Sequence, residues 1–245
     1  MAISSIDNIN VTGTEMRLHT AKPEEGGKKP AVIVIQEIFG VVPHIEDVAL
    51  RFAAAGYFAV APEMFHRGGP GIMIPYAETE RAFGERGKLS NDDIVADLQA
   101  TVDYLKGQPD VDAGNIGIVG FCFGGFVSYY STIKVPDIKA AVVFYGGGIL
   151  PKPGSPANAP RVLDLTVMDV GAPIIGFWGG QDAGIPPENV AAIDSAMRAS
   201  GNDYESHLYQ DAGHGFFCND RSSYNEAAAS DSWSRSVEFF NKHLK

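Results

Sequence analysis

The hexapeptide Gly120-Phe121-Cys122-Phe123-Gly124-Gly125 presents a thiol between small residues, directly after the apolar run Ile116 to Val119. This is the small-x-nucleophile-x-small pattern of a nucleophile elbow, with cysteine where serine is more usual. The glycines have a steric reason. A nucleophile displayed on a strained strand-to-helix turn brings the positions two before and two after it against neighbouring backbone, where a Cβ atom does not fit. The helix that follows points its N-terminus at the sulfur, and its unpaired N–H groups favour a thiolate and later an oxyanion. Taken alone, the hexapeptide also suits a buried, unreactive cysteine among packing glycines. Partners further along the chain decide between the two.

An elbow nucleophile of this kind needs an acid and a histidine after it, each in a loop just beyond the carboxyl end of a strand. Asp182 meets the condition, because the apolar segment Pro173 to Trp178 runs into Gly179-Gly180-Gln181-Asp182. His214 meets it too, in Gln210-Asp211-Ala212-Gly213-His214-Gly215-Phe216 after a segment ending at Tyr209. The acid would hold the imidazole in one tautomer, and the histidine would move protons to and from sulfur and leaving group. Asp211 and Asp169 compete for the acid's place. Asp211 is three residues from His214 and reads as part of the same turn, while Asp169 precedes its strand, at the wrong edge of a sheet. Asp182 by itself also suits a turn cap. His19, His44, His66, His207 and His243 have no comparable setting, and no pair of histidines has metal-ligand spacing near a carboxylate or thiol, so neither metal nor cofactor is expected.

The elements that must position these residues alternate along the chain. Strand-like runs are Ala31 to Ile35, Tyr57 to Ala61, Ile116 to Val119, Ala140 to Tyr145, Pro173 to Trp178 and Glu205 to Tyr209. Helical spacing marks His44 to Ala55, stopped by Gly56, and Ile94 to Leu105, capped by Asn91 or Asp92. Phe123 to Thr132, Val190 to Ala199 and Asn225 to His243 also read as helices, the last with Trp233, Val237 and Phe240 on one face. The alternation predicts an α/β fold, a mostly parallel central sheet flanked by helices on both faces. Glu63 to Pro75 and Gly146 to Pro160, with the stretch after it, are too long for tight connections and read as functional loops or a partial lid. Without a repeat or a dividing linker, residues 1–245 are expected to form a single domain.

Composition narrows the function. The 245 residues are 45% hydrophobic and 20% charged, an ordinary globular balance. A net charge of -11 argues against nucleic acid and against a cationic membrane-binding face. No apolar run approaches the roughly 20 residues that cross a bilayer, and the first ten residues lack the apolar centre of a signal peptide. With only Cys122 and Cys218 available, a disulfide framework is not expected and a cytoplasmic setting is.

Gln36-Glu37-Ile38-Phe39-Gly40 after the first buried strand, the cysteine elbow, Gly180-Gln181-Asp182 and Ala212-Gly213-His214-Gly215-Phe216 together resemble the dienelactone hydrolase family (carboxymethylenebutenolidases) of the α/β-hydrolase fold. The resemblance spans nearly the whole chain. It implies Cys122, Asp182 and His214 as a triad, and a part for Glu37 in activating the thiol when substrate binds. It also implies an oxyanion hole built from the backbone N–H groups of Ile38 and Phe123. The family's well-known members carry a substrate-binding arginine four residues after the histidine; here that position is Cys218, with Arg221 three residues further on. Arg81 and Arg86 are candidates for a second such arginine, and Arg67 is a third.

These readings converge on hydrolysis of an ester or lactone, most simply a carboxylate-bearing lactone, through a thioester acyl-enzyme. A thiolate is a good leaving group as well as a good nucleophile, so substrates with poor leaving groups return to thiol and amide. The alternatives are a general carboxylesterase or thioesterase on the same triad, and a non-hydrolytic redox-sensing or ligand-binding protein. The expected partner is a small-molecule ester or lactone.

Overall fold

The computed structural model describes residues 2–150 and 170–245. Its strands are β1 (Ala2–Val11), β2 (Thr14–Pro23), β3 (Lys29–Ile35), β4 (Phe58–Pro62), β5 (Val111–Phe121), β6 (Ile138–Phe144), β7 (Ile174–Gly179) and β8 (Tyr204–Tyr209). Its helices are α1 (Pro43–Ala54), α2 (Thr79–Arg86), α3 (Asn91–Lys106), α4 (Phe123–Lys134), α5 (Pro187–Ala199) and α6 (Glu226–Leu244). The strands form one sheet in the order β1-β2-β4-β3-β5-β6-β7-β8. From β4 to β8 every pairing is parallel, while β1 and β2 join antiparallel. Ala31 to Ile35 in β3 are fully buried, as a strand covered on both sides requires.

The two helical layers can be read from single glycines. A Cβ on Gly117 would meet Phe240 and Leu244 of α6, and one on Gly120 would meet Gly124 and Ser128 of α4. Positions three apart in a strand point to opposite faces, so α6 and α4 cover opposite sides of β5. Helix α1 joins the α6 layer through Phe52, whose ring lies 4.7 Å from Trp233 and 5.7 Å from Phe240.

Three features depart from the sequence reading. The first is the β1–β2 hairpin, which has no counterpart in it. The strand β1 is largely polar and lies at the sheet edge, so alternation is weak there. Its two-residue turn is Thr12-Gly13, with φ of 49° and 90°, the pairing of left-handed residues that suits a tight hairpin. The second is the start of α3. Ser90, rather than Asn91 or Asp92, is the cap: the Asp93 N–H donates to its hydroxyl at 3.1 Å, and its own N–H donates to the Asp93 carboxylate at 2.9 Å. The third is the segment 63–75, which is a packed wall and not a lid. Met64, Phe65, His66 and Ile74 are buried, and the N–H groups of Glu63 and Ile74 bond to Arg17 and Phe39 carbonyls at 2.9 Å each. Of the second long loop, residues 151–169 lie outside the described residues, and Asp169 with them.

At the β5–α4 turn the glycines are steric necessities. A Cβ on Gly120 would sit 2.0 Å from the Gly124 carbonyl oxygen, and one on Gly124 would sit 2.4 Å from that of Ile35. Gly120→Ala is therefore expected to cost roughly 3–5 kcal/mol of stability in urea unfolding, because backbone on both sides must move. Gly84→Ala, in α2 where an added Cβ would meet nothing within 4 Å, is expected to stabilise by about 0.5–1 kcal/mol.

Candidate active site

Cys122 occupies the turn between β5 and α4 with φ 56° and ψ -111°, a left-handed backbone that a side chain enters only when its surroundings compel it. The compulsion comes from the end of β6. The Cys122 N–H donates to the Phe144 carbonyl at 3.0 Å, and the Cys122 carbonyl accepts from the N–H of Gly147 at 3.2 Å. Close packing of glycine on backbone does the rest: a Cβ on Gly125 would lie 2.5 Å from the Phe144 carbonyl oxygen. The cysteine is half-buried, although its neighbours in the turn and helix are buried.

The loop after β8 brings His214 to the thiol, and the loop after β7 brings Asp182 to His214. The Nδ1 of His214 lies 2.7 Å from the Asp182 carboxylate, which leaves the other ring nitrogen for Cys122. Burial pulls the His214 pKa down, but hydrogen bonds to Asp182 and Cys122, with their negative charges, push it up to about 10. Asp182 is buried, which would raise its pKa. The bond and charge of His214, and N–H groups of Gly184 and Ile185 at 2.8 and 3.1 Å, hold it below the usual range instead. Asp211 is exposed and makes no bond to His214; its carbonyl accepts from Asn225. Of the two carboxylates, Asp182, the one the sequence reading favours, is the one in contact with His214.

Behind the thiol, just past the carboxyl end of β3, Glu37 is buried. Its Oε1 accepts from Arg221 at 3.0 Å, while its Oε2 has no partner among the described residues. Burial raises its pKa, against the lowering effects of Arg221 and His214. The neighbouring Gly40 has φ 88°, and a Cβ there would lie 1.9 Å from the Ile72 carbonyl oxygen. The glycine that ends the Gln-Glu-Ile-Phe-Gly segment therefore lets the 63–75 wall close against it. Cys218 is fully buried, its sulfur 3.3 Å from the Tyr76 hydroxyl.

A cavity of about 520 Å³ opens over Cys122 and His214. Its wall is mostly apolar, from Phe83, Phe123, Phe126, Leu150 and Ile185. Ile38 also lines it, and among the described residues neither the Ile38 nor the Phe123 N–H donates to a protein acceptor. The four candidate arginines go to different places. Arg86 lines the cavity, its guanidinium 5.3 Å over the Phe123 ring. Arg221 lies on Glu37, beside the rings of Phe39 and Tyr76. Arg81 does not line the cavity; it is exposed and pairs with Glu78 at 2.9 Å. Arg67 is committed to Asp97, at 2.9 and 2.8 Å, and to Asp93 at 3.1 Å, which ties the 63–75 wall to α3.

The sequence reading does not single out Phe83 or Phe126 in the wall, nor Tyr145. The Tyr145 ring lies 5.1 Å from that of His214 in an edge-on arrangement. Its place at the carboxyl end of β6 was the available signal; its left-handed φ of 37° has none in the sequence.

Comparison with known proteins gives the family of the chain. Residues 16–244 match the model of the dienelactone hydrolase family. A protein of Synechocystis, provisionally named a carboxymethylenebutenolidase, is 36% identical over 243 residues, 97% of this chain and 94% of that protein. A protein of Bradyrhizobium, provisionally named a 2-oxo-3-(5-oxofuran-2-ylidene)propanoate lactonase, is 29% identical over 242 residues, 97% of this chain and 93% of that protein. The crystal structure of a provisionally named dienelactone hydrolase from Klebsiella pneumoniae superimposes with a TM-score of 0.88 at 34% identity, covering 99% of this chain and 100% of that one. A sheet of this order, with its elbow after β5 and likenesses that run almost end to end, makes the chain a member of the dienelactone hydrolase family, hydrolases of ester and lactone bonds with the α/β-hydrolase fold.

Proposed function

We propose that the protein cleaves a small ester or lactone bearing a carboxylate, with Cys122 as nucleophile and a thioester acyl-enzyme as intermediate. The observation that carries the reading is the chain of contacts from Asp182 to His214 to Cys122, with the first link at 2.7 Å. It lies at the edge of a cavity large enough for a small organic acid.

The imidazole, with its pKa pushed up to about 10, holds the proton that leaves the sulfur. Transfer of that proton to His214 leaves Cys122 as the thiolate. The thiolate attacks the carbonyl carbon, and the carbonyl π electrons move to oxygen. The N–H groups of Ile38 and Phe123 receive that oxyanion, which stabilises charge present only in the transition state. Collapse expels the alkoxide or enolate, and the imidazolium gives it a proton. Neutral His214 then takes a proton from water, hydroxide adds to the thioester, and the acid departs as the thiolate reforms.

One arginine in the cavity supports a carboxylate on the substrate: Arg86 lines it. Arg221 lies outside that lining, on Glu37, with 23% of its side chain exposed against 2% for its partner. The likeness to a relative named for a lactone of a carboxylic acid supports the same class. The apolar wall favours a second reading, a carboxylesterase for uncharged esters, which a pair of esters differing only in a terminal carboxylate separates.

Cys122→Ala is expected to lower ester and lactone turnover by at least about 1,000-fold with the thermal unfolding midpoint little changed. Near-normal turnover in that variant would defeat the reading. Cys122→Ser is expected to lose about 100-fold or more, because a hydroxyl does not ionise beside His214 as a thiol does; serine activity equal to wild type would count against thiolate chemistry.

The raised His214 pKa also couples stability to pH. A group whose folded pKa lies above its unfolded value of about 6.5 stabilises fully below 6.5 and loses that contribution as pH rises toward 10. Denaturant unfolding should show stability falling between pH 7 and pH 10, with a shallower fall in Asp182→Asn. Parallel curves for the two proteins would show that the pair does not exist in solution.

A further inference from the structure

We propose that the substrate carries an apolar group, an alkyl chain or an aryl ring, on the alcohol side of its scissile bond, opposite the end of the cavity that takes its carboxylate. The proposal rests on the functional reading above and narrows its substrate class.

The sheet lays the cavity out in a line. The loops that line it leave neighbouring strands: Ile38 after β3, Cys122 after β5, Leu150 after β6 and Ile185 after β7. Strands lie about 4.8 Å apart, so the ends of β3 and β7 are roughly 14 Å apart, with the thiol between them. Arg86 belongs to the β3 side. Its guanidinium lies 5.3 Å over the Phe123 ring, and Phe65, just past β4, stacks on that same ring at 6.3 Å. The strand β4 is the next one outward from β3.

The two ends differ in charge. Arg86 is the one lysine or arginine among the described lining residues. Among the described residues it has no carboxylate partner, only the Leu89 carbonyl at 3.5 Å. The loops after β6 and β7 bring Leu150, Ala183, Ile185 and three glycines to the other end. Their polar side chains in the lining are Gln181, which is exposed, and Asp182, which is committed to His214 at 2.7 Å. A carboxylate placed at that end loses water and gains no cation, whereas an apolar group is stabilised there.

The chemistry assigns the halves of the substrate to these ends. The alcohol departs on the His214 side, because His214 gives the leaving oxygen its proton. His214 is held by Asp182, after β7, and packs edge-on to Tyr145, just past β6, at 5.1 Å. The alcohol half therefore lies over β6 and β7, against Leu150 and Ile185, and the acyl half runs toward Arg86. In a lactone the corresponding position is the ring carbon bonded to oxygen. The volume of about 520 Å³ accommodates both halves. The thiolate takes the acyl group, the apolar alcohol leaves with the proton of His214, and water releases the acid.

Monoesters of succinic acid with straight-chain alcohols from ethyl to octyl have leaving groups of nearly equal basicity, so their kcat/KM values report the pocket. The expected result is a rise of about two- to fourfold per methylene, levelling near hexyl. Leu150→Trp should end the rise at a shorter chain, and Leu150→Ser, the milder change, should make it shallower. Arg86→Gln should lower the whole series by a similar factor, about 10- to 100-fold, with the rise per methylene kept. A flat series in the wild type, or a rise that neither Leu150 variant alters, overturns the proposal. So does an Arg86→Gln variant that abolishes the rise, since one end would then serve both groups. Failure of the underlying reading shows differently, as turnover that survives Cys122→Ala or as a wild-type preference for the uncharged diesters.

Discussion

The grip of the β6 end on the Cys122 backbone is the constraint from which the rest of the site follows. One carbonyl and one N–H, from Phe144 and Gly147, hold the residue between them at 3.0 and 3.2 Å. They do so in a conformation that costs a non-glycine residue about 1–2 kcal/mol. That cost is sustained because β5 and β6 are parallel neighbours buried in the middle of the sheet. Releasing the turn would mean parting two core strands. Gly120, Gly124 and Gly125 are consequences of the same demand, since the turn can be this tight only if backbone packs on backbone.

Around the held thiol, charge is arranged in two pairs with different settings. Asp182 and His214 lie beside the cavity and make an imidazole that keeps its proton. Glu37 and Arg221 lie behind, with the carboxylate buried and the guanidinium partly reachable. The first pair suits a group that must lend a proton and recover it. The pairs act on one another, since the charge of His214 opposes the rise that burial gives the Glu37 pKa. The segment between Glu63 and Pro75 is held in place by the Arg67 fork on Asp97 and by the close approach of Gly40 to Ile72.

The elements that carry the site were legible in the sequence because each has a strong period or an unbroken apolar run. Ala31 to Ile35 and Ile116 to Val119 admit no reading but buried strands, and the Gly-x-Cys-x-Gly-Gly string marks the turn between strand and helix. The β1–β2 hairpin escaped because an edge strand with polar residues on its open side has no alternation to read. The Ser90 cap escaped because three polar residues in a row, Ser90, Asn91 and Asp92, each qualify on type alone, and the reciprocal bond to Asp93 decides among them. The reading of 63–75 as a functional loop or partial lid left its packing undecided for a related reason: glycine and proline mark irregular backbone, and irregular backbone can be packed against its neighbours.

By itself, then, the sequence determined the fold class, the order of the candidate nucleophile, acid and histidine along the chain, and the segment that carries Glu37, because chain order and local periodicity encode all three. Only the tertiary structure puts the Asp182 carboxylate 2.7 Å from His214, since that contact depends on which strand end lies beside the last loop. Only it sorted the arginines, placing Arg86 in the cavity, Arg221 on Glu37, Arg81 on Glu78 and Arg67 on Asp97. A guanidinium has no directional signature in a sequence; what it binds is settled by contacts between residues far apart in the chain, 184 positions in the case of Glu37 and Arg221.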